Sequence, residues 1–213
     1  MPQPIGHTKK NQKMSSQTYI PLSINEAFEF NHESGCWKTL PHHFDLLARQ
    51  RYIVQFPPTV SFPAKNFGWS TINYFEIIIL YIDEDATVGV GLGLKDDVRG
   101  MVGWKDSVGY HNDDGGVFFN YGRAQILADE WKYTAGDRIG VLYTPDGEVY
   151  FVKNGNMIDR AFHMKDKKWM PTVTCNQSNF EFRLSNVNQW DVFQIMFSRR
   201  FPTYEPPKQV LYH

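Results

Sequence analysis

The clearest pattern along the chain is alternation. From Thr87 to Leu94 the residues read Thr-Val-Gly-Val-Gly-Leu-Gly-Leu. Val88, Val90, Leu92 and Leu94 therefore share one face of an extended strand, and Gly89, Gly91 and Gly93 share the other. The apolar face predicts a strand lining a core. The glycine face predicts that bulky side chains or another stretch of backbone lie close against it. Three spaced glycines also raise a dinucleotide-binding loop, but that fingerprint needs its third Gly three residues after the second, on a turn that opens a helix. Leu94 occupies that position and no helical pattern follows, so the nucleotide loop is excluded.

A second pattern is the almost continuous apolar run Tyr74-Phe75-Glu76-Ile77-Ile78-Ile79-Leu80-Tyr81-Ile82, which predicts a central strand covered on both faces. Shorter extended segments are expected at Tyr52–Phe56, stopped by Pro57-Pro58, and at Val60–Phe62, stopped by Pro63. Further strands are expected at Ser107–His111, Val117–Phe119, Arg138–Tyr143, Glu148–Lys153, Trp169–Thr174 and Phe180–Leu184. The turns between them carry the appropriate chemistry. Asn112-Asp113-Asp114-Gly115-Gly116, Thr144-Pro145-Asp146-Gly147 and Asn154-Gly155 are rich in residues that accept positive φ or preset a turn.

Helix signals are few. Ser23-Ile24-Asn25-Glu26 reads as a capping box ahead of Ala27 and Phe28, which predicts a short N-terminal helix over about 24–30, with Trp37 anchoring the segment on the domain. Val192–Phe197 reads as either a last strand or a short helix, and Pro202, Pro206 and Pro207 mark an irregular C-terminal tail. About ten short strands with turn signals every 8–12 residues argue an antiparallel β-sandwich of two stacked sheets. The aromatic residues would fill the layer between them.

Composition narrows the functional classes. A length of 213 residues with 42% hydrophobic content suits one large all-β domain with appendages and ample core material. A net charge of -1 gives no global case for nucleic acid or an anionic membrane. No run reaches the ~18 apolar residues that a membrane span needs. Met1–Ser16 is polar and basic rather than an apolar signal segment, so the chain is expected not to be secreted. Two cysteines, Cys36 and Cys175, do not make a disulfide framework, and a reducing cytoplasmic or nuclear compartment is the expectation. The sequon Asn176-Gln177-Ser178 is then fortuitous.

Candidate catalytic chemistry is thin. Seven His are present, yet there is no G-x-S-x-G, no H-E-x-x-H and no C-x-x-C. His42-His43 are adjacent and point to different sides of a strand or helix, so they make a poor metal pair. Asp83-Glu84-Asp85 reads as a solvated hairpin tip, and Asp113-Asp114 beside His111 as turn chemistry. No enzyme activity, cofactor or metal is expected.

Taken together, Tyr74-Phe75-Glu76, Val88-Gly89-Val90-Gly91-Leu92, Gly103-Trp104, Ser107-Val108-Gly109-Tyr110-His111, Asp113-Asp114-Gly115, Gly136-Asp137-Arg138-Ile139-Gly140, Phe151-Val152-Lys153-Asn154-Gly155 and Pro171-Thr172-Val173 resemble, in order, the motifs of a SPRY domain. The G-Y-H-x-D-D-G run is similar to that of the Ran-binding-protein-like subtype. Val102 stands where Pro is usual, and Leu184-Ser185-Asn186 sits where the family closes with N-F-G. The resemblance covers roughly 74–173. It implies an all-β, concanavalin-like jelly roll within 52–198, preceded by a basic arm (1–18) and an extension packing on the core (19–51), and followed by a Pro-containing tail (199–213).

The resemblance further implies a non-catalytic protein-interaction module, a scaffold or adaptor that captures a partner peptide or surface through loops at one end of the sandwich. The loops 95–104, 112–114, 121–123 and 165–169 place Lys95, Asp96, Arg99, Met101, Trp104, Asn112, Asp113, Tyr121, Arg123 and Trp169 as candidate partner-binding residues. Arg99 and Arg123 would pair carboxylates. Met101, Trp104, Tyr121 and Trp169 would supply apolar or aromatic anchors, with packing an equal claim on the two tryptophans. Two other readings stay open: a structural subunit of a large assembly docked through its tails, and a glycan-binding, lectin-like domain.

Overall fold

The computed structural model describes residues 23–24, 28–39, 52–65, 69–94, 100–120, 122–126, 129–158, 162–164, 168–177 and 179–200. In chain order the strands are β1 (Ser23–Ile24), β2 (Phe28–Asn31), β3 (Cys36–Thr39), β4 (Tyr52–Gln55), β5 (Val60–Pro63), β6 (Thr71–Ile82), β7 (Val88–Leu94) and β8 (Ser107–His111). They continue with β9 (Gly116–Phe119), β10 (Gly122–Ile126), β11 (Arg138–Tyr143), β12 (Glu148–Lys153), β13 (Asn156–Met157), β14 (Phe162–His163), β15 (Trp169–Cys175) and β16 (Phe180–Leu184). One α-helix, α1 (Gln189–Arg200), follows.

The strands form two antiparallel sheets. The first runs β1-β4-β15-β7-β8-β9-β10, and the second runs β13-β12-β11-β6-β16-β3-β2, with β5 paired to β6 and β14 to β12. Their inner faces meet in one core. Val88, Val90 and Leu92 of β7 face Phe75, Ile77 and Ile79 of β6 across the layer, with Val141, Phe151 and Phe182 beside them, all fully buried. This is the apolar face that the alternation predicts.

β6 is buried on its other face too. Ile72 and Tyr74 lie in a second cluster with Leu142, Val152 and, from α1, Val192, Ile195 and Met196. A strand sandwiched between a second sheet and a helix loses water on both sides, which is why its sequence is apolar almost throughout.

The N-terminal segment differs from expectation. Ser23 and Ile24 pair with Gln55 and Val54, and Phe28–Asn31 pairs antiparallel with β3, so these residues are strands rather than a short helix. Phe28-Glu29-Phe30-Asn31 has period 2, with Phe28 buried and Glu29 and Asn31 exposed. Phe28 meets Phe180 and Phe182 edge-on at 6.4 and 6.0 Å, and Trp37, 1% exposed, stacks on Phe182. Burying those rings outweighs a capping signal worth about 1 kcal/mol. At the other end, 192–197 lies within a helix, and that helix runs past 198 to Arg200. Asn188 is its N-cap: Oδ1 accepts the backbone N–H of Trp190 (2.8 Å) and of Asp191, and the Asp191 carboxylate accepts the Asn188 N–H.

Candidate functional site

The register of the first sheet fixes which loops share an end. Trp169 pairs with Leu94, Gly93 with Ser107, and Phe119 with Gly122. The end of β7, the residues leading into β8, the facing ends of β9 and β10 and the start of β15 therefore lie at one end. Cys175 pairs with Val88 and Gly89 with His111, so the turn 112–114 lies at the opposite end of the sheet. The structure therefore places Asn112 and Asp113 at the end away from Trp169.

The segment 100–106 is the most constructed part of this surface. It doubles back over the outer, glycine-bearing face of β7 and β8 and returns to Ser107. The Val102 N–H donates to Thr174 Oγ1 (3.1 Å), and its carbonyl accepts from His111 Nε2 (2.7 Å). Because a carbonyl only accepts, Nε2 carries the imidazole proton. Gly103 N–H donates to Ser107 Oγ (2.8 Å), and Trp104 N–H closes a turn onto the Met101 carbonyl. Val102 itself is fully buried.

The glycines make this approach possible. A Cβ on Gly109 would overlap the Val102 carbonyl, and one on Gly89 would lie 2.9 Å from both Val102 Cγ1 and Thr174 Oγ1. The expectation that backbone lies close against the glycine face is met by Val102 and Gly103. Most of the Ser107–His111 motif thus serves one task. Ser107 and His111 grip the segment, Gly109 admits it, and Tyr110 turns inward, fully buried, its hydroxyl donating to the Trp131 carbonyl. His111 also stacks on Phe118 at 4.4 Å.

The predicted residues divide accordingly. Lys95, Asp96, Arg99 and Tyr121 lie outside the described residues, and of Arg123 only the strand backbone is described. Met101 is 3% exposed and offers little surface as it stands. Trp104 and Trp169 are half-buried, the latter packed partly against the core. Asn112 is a turn residue. Its Oδ1 accepts the Val88 N–H (2.6 Å), and its amide donates to the Ala86 carbonyl. Asp113 is exposed and accepts from Thr87 Oγ1 at 3.3 Å.

Sequence reasoning missed the polar groups that position the surface. Gln55, 2% exposed, donates from Nε2 to the Leu94 carbonyl (3.0 Å) and to Thr172 Oγ1, tying the end of β7 to β4 and β15. Thr174 holds Val102 from near the end of β15. A buried Gln or Thr in a strand is an intelligible signal once burial is known, since it must find a partner. In the bare sequence neither stands out. Among the described residues no group of three His, Cys, Asp or Glu could hold a metal ion, and no helix is long and apolar enough to cross a membrane.

A two-sheet antiparallel sandwich with a loop folded back over one sheet defines the class of protein by its fold, and comparison with known proteins agrees. The family profile of the SPRY domain matches residues 72–186. The chain belongs to the SPRY domain family, whose members are in general protein–protein interaction modules and typically non-catalytic. It is 34% identical over 105 residues to Ran-binding protein 9 of Xenopus laevis, covering 48% of this chain and 19% of that protein. It is 35% identical over 121 residues to SPRY domain-containing protein 3 of Pongo abelii, covering 53% of this chain and 27% of that one. The chain thus spans about a fifth of the length of the Ran-binding protein 9 relative. Among solved structures, the SPRY domain of human HERC1 superposes with a TM-score of 0.59 at 13% identity, covering 80% of this chain and 99% of that one. A human SPRY domain gives 0.53 at 21% identity, over 77% and 98%. At these identities the structural likeness concerns the fold.

Proposed function

We propose that this protein is an adaptor or scaffold that captures a partner polypeptide on the end of the sandwich where Trp104–Asp106, the facing ends of β9 and β10 and Trp169 lie. The observation that carries this reading is the 100–106 segment, tied to the strands by three hydrogen bonds at Val102 and Gly103 and closed by the Trp104–Met101 turn. Such a loop is ordered before a partner arrives, which lowers the entropic cost of binding. Trp104 and Trp169, half-buried at this end, are suited to anchor a partner, because large aromatic side chains in partly desolvated positions carry much of the energy at interfaces. Arg99 and Arg123 would add carboxylate recognition. Asn112 and Asp113 are left to the opposite turn. Two free, buried cysteines, Cys36 and Cys175, favour a reducing cytoplasmic or nuclear setting.

The test is capture from native lysate by the wild-type chain and by an Arg99→Ala/Trp104→Ala/Arg123→Ala variant, after circular dichroism shows both folded. The partner is expected to stay with wild type and be lost from the variant. Equal retention of the same partner would move the interaction to residues 1–18 or 199–213.

A further inference from the structure

Away from the loop end, α1 and the outer face of the second sheet enclose a cavity of about 640 Å³. Its floor is Glu76 of β6, its sides are Arg138, the Asn154–Asn156 turn and Asn186, and its helical wall carries Trp190, Asp191 and Phe197. The floor is the unusual part. Glu76 is 2% exposed. Its Oε2 accepts the Tyr74 hydroxyl at 3.0 Å, while Oε1 is buried and receives no hydrogen bond from the described residues. The Arg138 guanidinium, on a half-exposed side chain, stops 3.9 Å from Oε1. Burial first, and Glu76 second, hold the Tyr74 phenol well above its usual range, so it stays a donor to Oε2.

A carboxylate oxygen out of water with no donor is costly, and a donor that reaches it gains more than it would at the surface. The cleft carries two carboxylates, Glu76 and Asp191, against one guanidinium, so its charge favours a cation. Its mouth is apolar. Trp190 is 53% exposed and Phe197 39%, two of three large hydrophobic side chains left exposed among the described residues. An apolar stem ending in a positive tip matches an acid floor beneath aromatic walls. With Oε2 engaged by Tyr74, one acceptor remains open. A single-point ammonium satisfies it better than a two-pronged guanidinium does. The cavity lies within the usual range for ligand sites, about 300–1,000 Å³, and exceeds one side chain, leaving room for neighbouring residues of a chain.

We propose that the α1 cleft is a second docking site, which takes a lysine side chain of a partner polypeptide onto Glu76 between Trp190 and Phe197. It is independent of the loop-end surface.

The test titrates the full-length, isotope-labelled protein with acetyl-Ala-Lys-Ala-amide and with its norleucine counterpart, following the Trp190 indole and Gly155 amide signals. The lysine peptide is expected to shift both saturably, and the norleucine peptide to bind at least about tenfold more weakly, the difference of one well-made charged hydrogen bond. Glu76→Gln is expected to erase that preference, and Trp190→Ala to weaken binding of the lysine peptide. Trp104→Ala, at the other site, is expected to change nothing here. Equal response to norleucine, a lysine preference surviving Glu76→Gln, or no response at all would overturn the proposal. Should Glu76→Gln fail to fold, the exposed Trp190→Ala carries the same decision: unweakened binding of the lysine peptide counts against the site.

Discussion

Single residues carry the loop architecture. Gly109 faces the Val102 carbonyl so closely that a methyl group there must push the segment off the sheet. Gly109→Ala is expected to destabilise by about 1–3 kcal/mol, the usual range for overpacking, read as a lower urea midpoint. Gly91, whose Cβ would overlap the Val108 carbonyl, obeys the same rule. His111 acts through its proton. Removing it leaves the buried Val102 carbonyl without that donor, and an unmet buried acceptor costs about 1–3 kcal/mol. His111→Ala is therefore expected to lower the midpoint and also to speed amide exchange at Val102 and Gly103, whereas a purely packing role would leave local exchange unchanged relative to global stability. These roles were half legible in the sequence. The glycine face announced a close neighbour, but nothing in the spacing of Gly89 and Gly109 says that the neighbour is the chain's own Val102. That fact is tertiary.

At the scale of elements, α1 rests on its apolar face and its cap. Asn188 and Asp191 satisfy each other's backbone donors across the first turn, a reciprocal capping arrangement. Asn188→Ala is expected to cost about 1 kcal/mol and to lower helical ellipticity slightly, while leaving the sheets intact. The sequence analysis read one capping signal, Ser23…Glu26, and the structure shows a second cap, Asn188…Asp191. On either side of the first, Ser23–Ile24 and Phe28–Asn31 are strands because Phe28 and Trp37 have an aromatic layer to enter. The second starts a helix because Val192, Ile195 and Met196 have a sheet face to cover. Local capping is worth little beside either burial, which is why propensity alone misplaced the helix. Strands with strict alternation or matched turns, such as β7, β8, β11 and β12, were legible throughout. The short pairs β13 and β14 were not, since two residues carry no period. The candidate surface was less legible than the fold. The sequence grouped 112–114 with the other loops, and only the register of β7 with β8 and β15 separates the two ends.

For the molecule as a whole, burial of ionisable groups sets the alkaline limit of stability. Burial pushes the Cys175 thiol up to about 12 and raises the Tyr74, Tyr110, Tyr133 and Tyr143 phenols, with burial the leading cause in each. In the unfolded chain a thiol ionises near about 8.5 and a phenol near about 10. Above those values the folded state holds more protons than the unfolded state, so stability falls as pH rises. The contribution is complete below about pH 8.5, begins to be lost through the thiol, and is lost faster once the phenols join near about pH 10. Urea midpoints between pH 8 and 11 are expected to decline in that order, with phenolate absorbance of the buried tyrosines appearing only as the protein unfolds.

The proposed partner surface is the end of the sandwich where Trp104–Asp106, the facing ends of β9 and β10 and Trp169 lie. The most direct measurement is an amide hydrogen-exchange footprint of the full chain alone and with its captured partner. The claim predicts new protection at Trp104–Asp106, Asn120–Arg123 and Lys168–Met170, with the Asn112–Asp114 turn unchanged. Protection confined to that opposite turn, or to residues 1–18 and 199–213, would contradict it.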